Sequence, residues 1–292
     1  MIAIGNIDLD EALRLASDFK KTASHGDTVK ASGEPPWDSG VEFDDGTDII
    51  YPITDIIDQN YAIQVNLQIG SRQDLKLRSF VCLFHHLFKS PFMSELRTKQ
   101  QIGYYVCLNV DMHSLGVYIS FSIQSPHTDP REMDRLIDAF IANSVEYVKS
   151  MSDSDFNRHR EERSKANLSK PLNLSEELRY HRIAIQARTY NFTTATQLIP
   201  LINSITKDDF MTFLKLYIVP GAIKRRKASV HVWPSGKSIT YIDLEQEKTI
   251  KHMNEYRSRA KYFKLMVPEL EVEIPTSTNI VFRGVNSSTS NH

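Results

Sequence analysis

Arg97 and Tyr104 bear the functional groups whose spacing first suggests chemistry. Arg97 falls in a polar, helix-forming segment, Glu95 to Gln101, and Tyr104 follows Gly103 at the start of a β-prone run to Val110. Glycine enters the left-handed conformation that ends helices, so the chain is expected to leave the helix at Gly103 and continue as strand. A guanidinium offers five donors in a rigid plane and a phenol offers one. Brought together at such a junction, both can point at one oxygen, the arrangement that stabilises an oxyanion or holds a peptide carbonyl. The competing reading is structural: a solvated helix arginine and an ordinary strand aromatic.

The elements that must position this pair can be read from periodicity. Upstream, Tyr61 to Ile69 alternates apolar and polar residues, as a half-buried strand does. Asp74 can cap the following helix, where Leu77, Phe80, Val81, Phe84, Leu87 and Phe88 recur at helical spacing as a core stripe, and Pro91 is expected to break the run. Downstream, Tyr104 to Val110 and Leu115 to Ile123 flank Asp111-Met112-His113-Ser114 and read as a hairpin. Helices are then expected over Pro130 to Met151, Asp153 to about Ser169, Ser175 to about Tyr190, Thr193 to Ile202, and Lys207 to Ile218 behind a capping Thr206. Strands at Ile49 to Ile53 and Ala228 to Trp233 complete an α+β layered domain, a mostly antiparallel sheet covered by helices on one side. At the start, Met1 to Ile4 reads as a strand end, Asp8 to Lys20 as an amphipathic helix capped by Asp8, and residues 21 to 40 as a linker.

Composition narrows the function classes. The chain has 292 residues, 41% hydrophobic and 24% charged, enough apolar surface for a substantial core. A net charge of -1 gives no electrostatic case for nucleic acid or an anionic membrane. No stretch approaches the roughly 20 apolar residues that span a bilayer, and no basic segment leads into an apolar core at the start, so a soluble cytoplasmic protein is expected. Cys82 and Cys107, the two cysteines, read as buried free thiols of a reducing compartment. Nucleophile elbows, C-x-x-C pairs and phosphate-cradling glycine loops are missing, and Lys224-Arg225-Arg226-Lys227 reads as a solvated basic turn.

Leu96-Arg97-Thr98-Lys99-Gln100-Gln101-Ile102-Gly103-Tyr104 closely resembles the LRTKEQLGY signature in the C-terminal half of the insulin-degrading-enzyme branch of the pitrilysin-type, inverted-motif zinc metallopeptidases, with seven of nine positions matching. Ile4-Gly5-Asn6-Ile7 looks like the family's HGNI segment, Ser122-Ile123-Gln124-Ser125 like its IIQSE strand end, and Arg225 to Val232 like its RRHKVSVHV strand. The order and spacing fit over nearly the whole chain. The resemblance implies that residues 1–40 are the tail of a preceding domain plus linker, 41–235 the family's fourth domain, and 236–292 an irregular tail. Divergence from the usual pattern suits a fungal pheromone-processing relative.

The same resemblance implies zinc, yet the motif H-x-x-E-H is absent. His159-Arg160-Glu161-Glu162-Arg163 comes nearest and has arginine, which cannot coordinate metal, in place of the second histidine. It reads as a solvated helix face, and His85-His86 as two histidines pointing apart, so no metal ligand is assigned to this chain. In the family, zinc and the water-activating glutamate belong to an N-terminal half that faces the C-terminal half across an enclosed chamber. Carried over by position, Tyr104 matches the tyrosine that hydrogen-bonds the tetrahedral oxyanion and Arg97 the arginine that grips the substrate main chain. The implied partners are a peptide substrate and the zinc-bearing half, in the same or a separate chain, leaving room for a homo-oligomer. The competing function is a non-catalytic scaffold or peptide-binding subunit of the same fold.

Overall fold

The computed structural model describes residues 5–23, 40–112, 116–167, 172–186, 191–236, 249–250 and 253–263. Expectations for the strand at 1–4, for most of the linker and for the hairpin tip at 113–115 lie outside these. Alternation in strand β3 (Tyr61–Ser71) puts Ile63, Val65, Leu67 and Ile69 on one face, and the antiparallel neighbour β5 (Gly116–Ser125) adds Val117, Ile119, Phe121 and Ile123 to it. With β2 (Asp48–Ile56), β4 (Tyr105–Asp111) and β6 (Lys227–Pro234) the sheet order is β2-β6-β3-β5-β4. The β2–β6 pair is parallel and the others antiparallel, so β4 is an edge strand.

Helices cover the apolar face. Helix α2 (Leu75–Met93), capped by Asp74 through the Leu77 N–H, lies over β4, and α3 (Pro130–Ala142) lies over β3 and β6. Phe92 is fully buried with its ring centroid 5.1 Å from both Phe121 of β5 and Phe140 of α3. Contrary to the expectation from sequence, Pro91 does not break α2. Phe88, Phe92 and Leu96 stand four residues apart and are all buried. Anchoring them at about 2 kcal/mol each outweighs the roughly 3 kcal/mol that a helix-interior proline costs.

The expected long helix 130–151 is two: Asn143 separates α3 from α4 (Ser144–Ser150), its side-chain amide donating back to the Ala139 carbonyl at 3.0 Å. Helices α5 (Asp153–Ala166), α6 (Leu174–Gln186), α7 (Thr194–Ser204) and α8 (Lys207–Phe213) follow; α5 and α7 pack on the outer side of α2. Thr206 and Asp209 form the expected capping box. At the start, α1 (Leu9–Ala23) takes its cap from Asp8, whose carboxylate accepts the Glu11 N–H at 2.8 Å.

Two further expectations are corrected. Gln68 does not face solvent: it is buried, donating to the Val41 carbonyl at 2.8 Å and Tyr118 Oη at 3.1 Å while accepting the Phe43 N–H. Within the segment expected to be irregular, Met253–Arg259 forms α9 and Lys261–Tyr262 forms β7, antiparallel to β1 (Val41–Glu42). Phe263 is buried there and donates its N–H to the Gly40 carbonyl at 3.0 Å.

Candidate functional site

Helix α2 passes without a break into one π-helical turn, Ser94–Lys99. The Gln100 N–H reaches the Glu95 carbonyl and the Ile102 N–H the Leu96 carbonyl, each at 3.0 Å. Gln101 then turns left-handed, with φ 52, taking the conformational role expected of Gly103. Gly103 serves another need: a Cβ there would stand 2.0 Å from the Gln124 carbonyl oxygen of β5. Ser125 Oγ donates to the Ile102 carbonyl at 2.5 Å and accepts from the His127 and Thr128 N–H groups. With Leu96 and Ile102 buried on the inner side, the junction is held from both ends.

On this junction the Arg97 guanidinium carbon lies 4.9 Å from the centroid of the Tyr104 ring. The structure therefore brings the two predicted residues together, by stacking of cation on ring. Tyr104 is 85% exposed, so its phenol is open to a ligand. The pair lines an open pocket of about 520 Å³ with Asn60, Tyr105, Gln124 and His127. Tyr105 pairs with Gln124, and Cys107 with Ser122, across β4 and β5, which puts these side chains on the polar face of the sheet, opposite the helices. Cys107 is therefore half-buried on a polar surface, unlike buried Cys82; both thiols are free.

The remaining sequence candidates fall in two places. His85 must donate Nε2–H to the Leu108 carbonyl, at 3.1 Å, tying α2 to β4; burial, with the nearby Lys89 charge, pushes its pKa down. His86 turns the other way and meets His159 and Glu162 of α5, with Nε2 lying 3.4 Å from His159 Nδ1 and 3.4 Å from Glu162 Oε2. The face expected to be solvated at His159–Arg163 thus supplies two of three clustered residues, His86, His159 and Glu162, whose ligand atoms all lie within 4.8 Å of one another. The third, His86, lies 73 positions from His159 in sequence, so local spacing carries no trace of it.

The basic turn is likewise no solvated patch. Arg225 and Lys227 are buried against Asp138 and Asp134 of α3, and Arg226 pairs with Asp45 at 2.8 Å. Lys227 opens β6 on its inward-facing side and Arg225, just ahead of the strand, is buried beside it, where Asp134 and Asp138, one helical turn apart, meet them.

Comparison with known proteins gives this geometry a family context. Residues 83–181 match the model for the PQQ synthase PqqF-like C-terminal lobe domain 4. The human insulin-degrading enzyme is 25% identical over 238 residues, covering 76% of this chain and 23% of that protein. The A-factor-processing enzyme of Saccharomyces cerevisiae is 33% identical over 138 residues, covering 47% of this chain and 13% of that protein. The chain thus spans less than a quarter of the length of either relative. The crystal structure of pitrilysin superposes with a TM-score of 0.71 at 17% identity, covering 89% of this chain and 27% of that one, which establishes the shared fold. In sequence and in fold, this chain matches the C-terminal part of the insulin-degrading-enzyme-like peptidases of the pitrilysin family.

Proposed function

We propose that this chain is the zinc-free portion of a zinc metalloendopeptidase that cleaves peptides in an enclosed chamber, with Arg97 and Tyr104 completing the active site from the wall opposite the zinc. The observation that carries this reading is the stacked, exposed pair at the mouth of edge strand β4. Zinc, held by the N-terminal half of the enzyme, supplies the polarised water. The Tyr104 hydroxyl donates to the oxyanion as the scissile carbonyl becomes tetrahedral, and the Arg97 guanidinium donates to substrate main-chain carbonyls beside it. The edge of β4, which pairs only with β5 among the described residues, can add an extended peptide as a further strand. In this reading α1, which exposes Leu13 and Phe19 at 59% and 66%, is part of the preceding domain and packs within it. The free thiols Cys82 and Cys107 suit the cytoplasm.

The test is Tyr104→Phe in the full-length enzyme that contains this chain. Phenylalanine keeps the ring on which Arg97 stacks and removes only the donor. Loss of one oxyanion donor lowers kcat by about 10²–10³. Zinc content and the thermal midpoint should stay unchanged. Cleavage at the parental rate would remove Tyr104 from the catalytic machinery, whereas a full-length protein that binds peptide and cleaves none would favour the scaffold or peptide-binding reading.

A further inference from the structure

The cluster of His86, His159 and Glu162 lies outside the proposed active site, on the solvent side of α2 where α5 crosses it. Ligand atoms bound tetrahedrally at about 2.0–2.1 Å stand about 3.3–3.4 Å apart. The three edges of this triangle measure 3.4 Å from His86 Nε2 to His159 Nδ1, 3.4 Å from His86 Nε2 to Glu162 Oε2, and 3.7 Å from His159 Nδ1 to Glu162 Oε2. An ion set just outside their plane meets all three with little movement. Two neutral imidazoles and one carboxylate form a borderline N/O donor set, and three protein ligands leave a fourth position for water.

The surroundings are consistent with such use. The His86 and His159 side chains are 29% and 27% exposed, sheltered yet reachable. Arg158 lies 3.5 Å from Glu162 Oε1, so it steers the other oxygen, Oε2, toward the imidazoles. The geometry points to a binding site for one borderline divalent transition-metal ion of the Zn²⁺ class, held by His86 Nε2, His159 Nδ1 and Glu162 Oε2. An ion there cross-links α2 to α5, and so braces the helix whose far end presents Arg97. This site shares no residue with the proposed substrate-gripping pair Arg97 and Tyr104.

The experiment is Co²⁺ titration of the 292-residue chain followed by visible absorption, with Zn²⁺ as competitor. The expected result is one Co²⁺ per chain with the intense bands of a tetrahedral site, displaced by one equivalent of Zn²⁺. His86→Ala and His159→Ala should each weaken binding by about 100-fold, the loss expected for a direct ligand. His181→Ala, on α6, should leave it unchanged. Absence of binding up to about 100 μM ion, or undiminished binding by both ligand variants, overturns the proposal. Should the variants fail to fold by circular dichroism, histidine-modification footprinting of the parent chain decides. Zn²⁺ protection of His86 and His159 supports the site, and equal modification with and without Zn²⁺ sinks it.

Discussion

A guanidinium lying on a phenol ring restricts both groups before any substrate arrives. The negative ring face attracts the cation by about 0.5–1 kcal/mol at an exposed site, which holds the Arg97 and Tyr104 rotamers together. Side chains already ordered lose less entropy when they bind, so the pair is suited to gripping a substrate backbone. Lysine would keep a cation beside the ring but lose the planar fork that can hold two carbonyl lone pairs. Arg97→Lys in the full-length enzyme should therefore lower kcat/KM by the 1.5–3 kcal/mol of a charged hydrogen bond, about 10–100-fold, with stability unchanged. Steady-state kinetics beside a thermal melt check this; an unaltered kcat/KM would remove Arg97 from the substrate contacts. The residue types and their seven-residue spacing were legible in the sequence. That the arginine would lie over the ring was not, because it depends on how the π-turn rotates Arg97.

At the scale of elements, the site depends on one narrow passage between α2 and the sheet. Gly103 crosses it with its Cα against the Gln124 carbonyl, where a methyl group would stand at 2.0 Å from the oxygen. Backbone on both sides leaves nothing flexible to move, since Ser125 fixes the Ile102 carbonyl and Leu96 is buried behind the turn. Gly103→Ala should therefore destabilise the fold by about 1–3 kcal/mol, as overpacking does. It should also displace Tyr104, so that kcat falls in a protein that still folds. Chemical denaturation with parallel kinetics separates the two effects. An alanine variant as stable and active as the parent would mean that β5 yields freely here. From the sequence, Gly103 was rightly marked as the place where helix becomes strand, but for the wrong reason. The left-handed residue is Gln101, and the glycine is required by close approach. Contacts between positions 103 and 124 are tertiary, as are those of the core phenylalanines that carry α2 through Pro91; propensity rules see neither.

The whole molecule is held across its layers by a buried charge network that links α3 to β6. Lys227 Nζ lies 2.6 Å from Asp134 and 2.9 Å from Asp138, and His231 Nε2 lies 3.1 Å from Asp134. This was illegible in a sequence where Lys224 to Lys227 reads as four adjacent charges, because the acidic partners lie about 90 positions upstream. Burial would push the Asp134 carboxyl up, but the His231 hydrogen bond and the Lys227 charge together hold it below the ordinary carboxylate range. Burial likewise opposes the Lys227 charge, and the two carboxylates hold its pKa above the ordinary value. A carboxylate whose pKa is depressed by folding stabilises the native state above its unfolded pKa of about 3.9, and that contribution is lost as pH falls through the folded value. Removing one member strands the others: Asp134→Asn should cost about 3 kcal/mol at neutral pH, the lower end for a broken buried pair because Asp138 still faces Lys227. As pH falls below the unfolded value of about 3.9, protons are taken up first by the unfolded parent, whose Asp134 is the more basic, so the stability gap over the asparagine variant should narrow with acid. Urea denaturation of both proteins from pH 7 to pH 3 measures that gap. A difference that stays constant over the whole range would mean that the network acts through shape and packing, and that its charges contribute nothing to holding α3 on the sheet.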